Sequence, residues 1–238
     1  MPDNIAEAVL AAVELVIEPI VGRKIADAVE PSERRVSVTP SARMRRGAAP
    51  VTEASITWYI EVDTPIGLLM VSSEDDAITG VYMESHRHGP VDRESWLPDV
   101  KGVRPVLNTA RAQLAEFFSG RRHGFDLKLR ARGTEVQQRV WRALLDIPFG
   151  ETRSYGEIAA LVGNPRASRA VGSANGRNPI SIIVPCHRVI GSNGALTGFG
   201  GGIERKEWLL AHEAQVSGRP SKYGRHDLFS AGVVDAGQ

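Results

Sequence analysis

The sequence predicts an α+β fold, in which a small antiparallel sheet is followed by a mainly helical half carrying a helix-turn-helix. Three observations lead there. Residues 56–83 hold three short runs alternating apolar and polar residues, separated by turn signals. Residues 106–118 and 134–145 carry apolar residues at helical spacing, and two short helical stretches with a glycine-containing turn between them follow at 154–176.

Taken in order, "AVLAAVELVIEPIVG" raises the question of a signal or membrane helix. No basic residue precedes it, Glu14 and Glu18 interrupt it, and Pro19 ends it short of the roughly 20 apolar residues a span needs. It reads as a short amphipathic helix with a stripe at Ile5, Val9, Val13, Val16 and Ile17. Residues 31–54 have linker composition, so an N-terminal extension is expected over 1–54. "SITWYIEV" then alternates Ile56, Trp58, Ile60 and Val62 on one face, and after the turn "DTPIG" the runs "LLMVSS" and "AITGVYM" complete an antiparallel meander. "GPVDRESWLPDVKG" reads as irregular. Val106, Leu107, Ala110, Leu114, Phe117 and Phe118 form a helical stripe that Gly120 stops, closing an α+β domain over 55–130.

The second domain is expected over 131–216. Thr134 and Gln137 make a capping box ahead of Val136, Val140, Trp141, Leu144 and Leu145, and Ser154 with Glu157 repeats the device before "YGEIAALVG". "GNP" turns the chain into "RASRAVGSANG", whose Ala167, Ser168, Ala170, Gly172, Ser173 and Ala174 are all small. Small residues let a helix approach a flat partner such as a DNA minor groove, although they equally suit a helix packed tightly on its own core. After Val216 the chain reads as a mobile tail, 217–238.

Composition narrows the function. The 238 residues are 42% hydrophobic and 24% charged with net charge +1, so no global polyanion signal exists. Locally, residues 151–190 hold Arg153, Arg166, Arg169, Arg177 and Arg188 against only Glu151 and Glu157. One cysteine excludes internal disulfides and multi-thiolate zinc sites, and a reducing cytoplasm fits best.

That cysteine, Cys186, stands in "VPCHRVIGSNG" directly before His187. A free thiol near pKa ~8.5 is only a few per cent ionised at neutral pH, so a nucleophilic Cys186 needs a base. His187 is adjacent, but in an extended backbone successive side chains point to opposite faces, and contact would need a turn or a bridging water. Glu213, at the end of the helical "ERKEWLLAHE", is a carboxylate that can orient an imidazole.

The string from "IPFGETRSYGEIAALVG" through "NPISIIVPCHRVIG" and "GFGGG" to "ERKEWLLAHE" resembles the DNA repair alkyltransferases that remove alkyl groups from O6 of guanine. The likeness covers about residues 55–215 and is denser after Gly133. It implies a ribonuclease H-like first domain and a winged-helix-like second one. It also implies irreversible, stoichiometric transfer of the alkyl group from O6-alkylguanine, chiefly O6-methylguanine and also O4-methylthymine, to Cys186. His187 would act through a water as general base, with Glu213 holding it. Tyr155 would hydrogen-bond the guanine ring nitrogen. Arg169 would enter the base stack when the nucleotide is extruded, with Ala167, Ser168, Ala170 and Gly172 against the minor groove. Asn178, grouped with the DNA-contacting residues, would be the hinge between recognition helix and active-site strand. Val189, Phe199 and Gly200 would line the substrate pocket. Extrusion follows from geometry, because a thiol on a protein cannot approach O6 in line inside a duplex. The implied partner is double-stranded DNA containing alkylated guanine, bound by a monomer without membrane, metal or other cofactor.

Singly, Tyr155 reads equally as a core tyrosine, Arg169 as a solvated helix residue, Asn178 as a turn former and Glu213 as a surface carboxylate; their joint spacing carries the resemblance. Two alternatives compete: a DNA-binding or lesion-sensing module without transfer chemistry, in whose relatives the cysteine of the PCHR motif is replaced, and a thiol hydrolase, which would turn over. The resemblance offers nothing for residues 1–53 and leaves Met1 and Met44 as alternative starts.

Overall fold

The structure, a computed structural model, describes residues 56–221 together with 223 and 224. The expected N-terminal helix and linker, and the end of the expected tail, lie outside the described residues. β1 (Thr57–Val62), β2 (Leu69–Glu74) and β3 (Ala77–Met83) form the antiparallel meander. The registers Ile60↔Val71 and Val62↔Leu69 set one strand's apolar positions opposite the next strand's, and all four are buried. Ile56, counted on the same face, precedes β1 and is exposed.

The stretch read as irregular contains more order than its sequence suggests. A 3-10 turn at Arg93–Ser95 leads into β4 (Leu97–Pro98), which runs parallel to β1 and gives the sheet order β3-β2-β1-β4. Two residues carry no readable period, and Pro98 sits at a sheet edge, where its missing N–H costs no ladder bond. α1 (Pro105–Phe118) then lies across β1, β2 and β3, burying Leu107, Ala110, Leu114 and Phe117. Each such side chain contributes about 1.5–3 kcal/mol on burial.

The outer edge of β3 is not left open. Ile78 N–H donates to the Lys128 carbonyl and Arg130 N–H donates to Ile78 O, each at 2.8 Å. Further along, Val81 N–H donates to Pro179 O at 2.8 Å and Ser181 N–H to Val81 O at 3.3 Å. The second pairing covers a liability of any sheet edge and anchors the stretch that leads to Cys186.

α2 (Glu135–Leu145) starts at the Thr134–Gln137 capping box and α3 (Tyr155–Leu161) at the Ser154–Glu157 box, both fully formed. α4 (Ser168–Gly176) completes the helix-turn-helix. Val140, Leu144, Ile158, Ala159, Val171 and Ala174 are buried in the shared core, and the Trp141 indole N–H donates to Ala174 O at 2.9 Å, locking α2 to α4. Val136 and Leu145, counted on the α2 stripe, are exposed. β5 (Arg153–Ser154) pairs in parallel with β6 (Val189–Ile190), which sets the start of α3 beside the strand following Cys186. α5 (Ile203–Val216) buries Trp208, Leu209, Leu210 and the polar His212 and Glu213.

The first residues of the expected tail bond back to the body of the protein. Gly218, at φ 66°, turns the chain out of α5, Arg219 N–H donates to Ala214 O at 2.9 Å, and the Arg219 guanidinium reaches Gly150 O and Glu151 at 3.2 Å. Tyr223 donates its hydroxyl to Gly194 O at 3.1 Å. Composition gives no periodic apolar pattern here, and these tethers depend on tertiary partners.

Candidate active site

Cys186 is positioned by the irregular loop between α4 and β6. Asn178 is the loop's internal scaffold: its side-chain amide donates to Val184 O at 2.8 Å, and its Oδ1 accepts from Ile180 N–H at 3.1 Å. Between these anchors Ile182 has φ 72°, a left-handed conformation that a β-branched residue adopts only when its surroundings impose it. Asn178 is 2% exposed, and both ends of its side-chain amide are bonded inside the protein.

Of the extended backbone and the turn considered for Cys186 and His187, the structure shows the turn. Cys186–Arg188 form a 3-10 turn, in which successive side chains fan around an axis rather than alternate across a sheet. The Cys186 side chain is buried, and burial raises its pKa, opposed by the Asn178 amide and the Lys206 charge. The resting thiol is therefore protonated at neutral pH.

Beside it stands a buried charge cluster. His187 Nε2 lies 2.8 Å from Glu213 Oε1, with both side chains fully buried. The Arg188 guanidinium holds the same carboxylate through Nε at 3.1 and 3.0 Å and NH2 at 2.9 Å, while NH1 donates to Ile147 O at 2.6 Å. Glu213 Oε2 also accepts from Gly150 N–H at 2.9 Å. Burial would raise the Glu213 pKa, but the His187 and Arg188 partners outweigh it and bring it down to about 2. Burial lowers the His187 pKa against the pull of Glu213, so the imidazole is neutral. A neutral imidazole facing a carboxylate carries its hydrogen on Nε2, which leaves the lone pair on Nδ1, an atom with no hydrogen-bond partner among the described residues. That is the state a proton acceptor requires.

A cavity of about 540 Å³ opens between α4 and the glycine-rich loop, lined among others by Gly172, Ser173, Thr197, Gly198, Phe199 and Gly200. Asn175, buried on α4, donates to both Cys186 O and Gly198 O at 3.1 Å, joining the thiol turn to the loop. The Tyr155 hydroxyl donates to Thr197 O at 2.7 Å. Lys206, 0% exposed, donates to the carbonyls of Val189 and Thr197, and burial lowers its pKa to about 8. Of the expected pocket residues, Phe199 and Gly200 line this cavity; Val189 does not, being packed wholly in the core behind it. At Gly198 a Cβ would meet the Tyr155 hydroxyl at 2.6 Å, so the loop's close approach requires glycine there.

Arg169, Ala170, Ser173 and Arg177 form the exposed face of α4, with Ala167, Ser168 and Gly172 half-buried beside them. The local positive charge is smaller than its count, because Arg188 is consumed by Glu213 and Arg153 pairs with Glu151 at 3.1 Å. Among the described residues no group of three potential metal ligands exists, and no helix is long and apolar enough to cross a membrane.

The family description "6-O-methylguanine DNA methyltransferase, DNA binding domain" matches residues 135–215. The methylated-DNA–protein-cysteine methyltransferase of Mycolicibacterium paratuberculosis is 50% identical over 159 residues, 67% of this chain and 93% of the relative. This chain belongs to the methylated-DNA–protein-cysteine methyltransferases. The constitutive methyltransferase of Bacillus subtilis is 46% identical over 160 residues, 65% of this chain and 94% of that one. The crystal structure of the Mycobacterium tuberculosis OGT in complex with DNA is similar with TM-score 0.63 and 50% identity, covering 67% of this chain and 94% of that one.

Within this methyltransferase, the geometry pairs His187 with Glu213 directly after Cys186 in the same buried turn and sets Tyr155 against the glycine-rich loop. Arg188, Asn175 and Lys206 were not foreseen as site residues. The one sequence signal for Arg188 is its place inside the quoted PCHR motif; Lys206 gives none, since a lysine on an amphipathic helix ordinarily reads as solvated.

Proposed function

We propose that this methyltransferase repairs DNA by extruding O6-alkylguanine, chiefly O6-methylguanine, or O4-methylthymine from the duplex and transferring the alkyl group to Cys186. The observation that supports it most is the buried turn Cys186–Arg188, in which the thiol is followed in the chain by a neutral His187 whose free lone pair is fixed by ionised Glu213, itself held by Arg188. In the displacement, Sγ forms a bond to the alkyl carbon as the bond from that carbon to O6 breaks, with its electron pair passing into the guanine ring. The thiol proton goes through a water toward His187 Nδ1. A proton delivered to the guanine ring nitrogen lets neutral guanine leave, which lowers the barrier. For that step the Tyr155 hydroxyl exchanges its Thr197 carbonyl for the ring nitrogen, since it has one hydrogen to give. The product is a thioether with no second cysteine to reverse it, so one molecule repairs one lesion. The protein acts as a monomer on the minor groove, in the cytoplasm.

Radiolabelled methyl counting with excess O6-methylguanine duplex tests the reading. One methyl per protein supports it, whereas repeated turnover would favour the thiol hydrolase.

Two variants separate the roles. Arg169→Ala removes the side chain proposed to fill the vacated stack, so repair of duplex DNA should fall at least tenfold relative to reaction with free O6-benzylguanine, about 1.4 kcal/mol of discrimination. Equal losses on both substrates would count against the assignment. His187→Ala should slow reaction with duplex and free base alike by roughly 10²–10⁴-fold, the usual worth of a positioned base, with duplex affinity nearly unchanged. Reaction at the wild-type rate would exclude the relay.

A further inference from the structure

The turn that follows β3 is a part of the molecule that neither the helix-turn-helix nor the thiol relay uses, yet it reaches the substrate cavity. Ser85 has φ 56°, and the turn is tied to the glycine-rich loop by Arg87 N–H donating to Gly200 O at 2.9 Å. His86 packs so closely on that loop that a Cβ on Gly200 would meet its Nε2 at 2.3 Å. The tie carries the next two side chains to the cavity mouth: Arg87 and His88 line it from one side, and Arg177, at the end of α4, lines it from the other.

We propose that Arg87, His88 and Arg177 form a phosphate seat at the cavity mouth, which holds the DNA backbone next to the extruded nucleotide and makes the turn 84–89 a third DNA-contacting element beside the recognition helix and the glycine-rich loop.

Three features carry this. The residues lining the cavity include no aspartate or glutamate, so the three basic groups meet no carboxylate there. All three side chains are exposed, as a backbone contact requires. Desolvation, then the charges of Arg177 and Arg87, lower the His88 pKa, so His88 rests neutral between two guanidinium groups whose charge an anion would meet. A nucleotide whose base enters this cavity leaves its phosphate at the mouth. Guanidinium groups suit that phosphate because they offer paired N–H donors.

The inference rests on the DNA repair reading of the same cavity, and its test separates the two. Affinity for a fluorescein-labelled duplex carrying O6-methylguanine is measured across a salt series for the wild type, Arg87→Ala and Arg87→Lys, with methyl transfer by the wild type followed on the same duplex. Each phosphate contact contributes about 0.9 to the slope of log affinity against log salt. Arg87→Ala should lower the slope by about one and weaken binding several-fold at low salt, and Arg87→Lys should restore most of the slope. A wild type that transfers methyl while Arg87→Ala keeps the full slope would overturn the seat alone. A wild type that neither binds nor reacts would overturn the repair reading beneath it. A slope lost equally in Arg87→Lys would also overturn the seat, because a positive charge would then not be what the site requires.

Discussion

Cys186→Ala is expected to abolish alkyl transfer completely while leaving a folded protein that still binds duplex DNA. The side chain is buried at the turn that the Asn178 scaffold sets, and that scaffold bonds to the backbone of Ile180 and Val184, which alanine does not disturb. No other thiol exists to take over the reaction. Transfer and binding should therefore separate cleanly, with the first absent and the second within a few-fold of the wild type. Residual alkylation of the variant by O6-methylguanine DNA, detected as labelled protein, would mean that another residue accepts the group.

The second large effect is on stability. Glu213→Ala removes the carboxylate that Arg188, His187 and the Gly150 N–H share, and it leaves a guanidinium buried without its anion. Breaking a buried pair by removing one partner costs about 3–5 kcal/mol, against a total of about 5–15 kcal/mol for a typical domain. At roughly 2–4 °C per kcal/mol for a chain of this size, the melting temperature should fall by roughly 6–20 °C. A variant that melts with the wild type would show that the cluster contributes little.

Acid should act on the same cluster. Glu213 has a folded pKa of about 2, below the ordinary 4.5, so its contribution is fully present above pH 4.5 and is lost as the pH falls toward 2. His187 also has a depressed folded pKa; the unfolded chain takes up its proton below about 6.5 while the folded one resists, so stability is lost as the pH falls from there. Both groups act in one direction. The melting temperature should decline on acidification from about pH 6.5 downward, with a steeper fall below pH 4.5, and Glu213→Ala should flatten the lower part of the curve.

What the sequence made legible was mostly local. The meander, α1 and both capping boxes depend on neighbouring residues, and each formed where its pattern predicted. β4 was illegible because two residues pairing in parallel with a distant strand leave no period. The 3-10 turn at Cys186 was illegible for a related reason: Ile182 at positive φ and the Asn178 bonds bend the loop, and neither a strained isoleucine nor a buried asparagine announces itself in composition. In the site, the family resemblance singles out Cys186, His187, Glu213 and Tyr155, and the structure sets His187 against Glu213 and the Tyr155 hydroxyl against Thr197 O. Arg188 and Lys206 were not legible, because burying a charged side chain requires partners from other elements, and only the fold reveals that Glu213 and two backbone carbonyls supply them.

The central claim, that Cys186 is the acceptor, is tested most directly by intact-mass analysis with peptide mapping after the wild-type protein reacts with duplex DNA carrying O6-methylguanine. The account predicts that all reacted molecules gain the mass of one methyl group in place of one hydrogen, located on the peptide that contains Cys186. An unchanged mass with loss of the lesion from the DNA, or a methyl group found on any other residue, would contradict it.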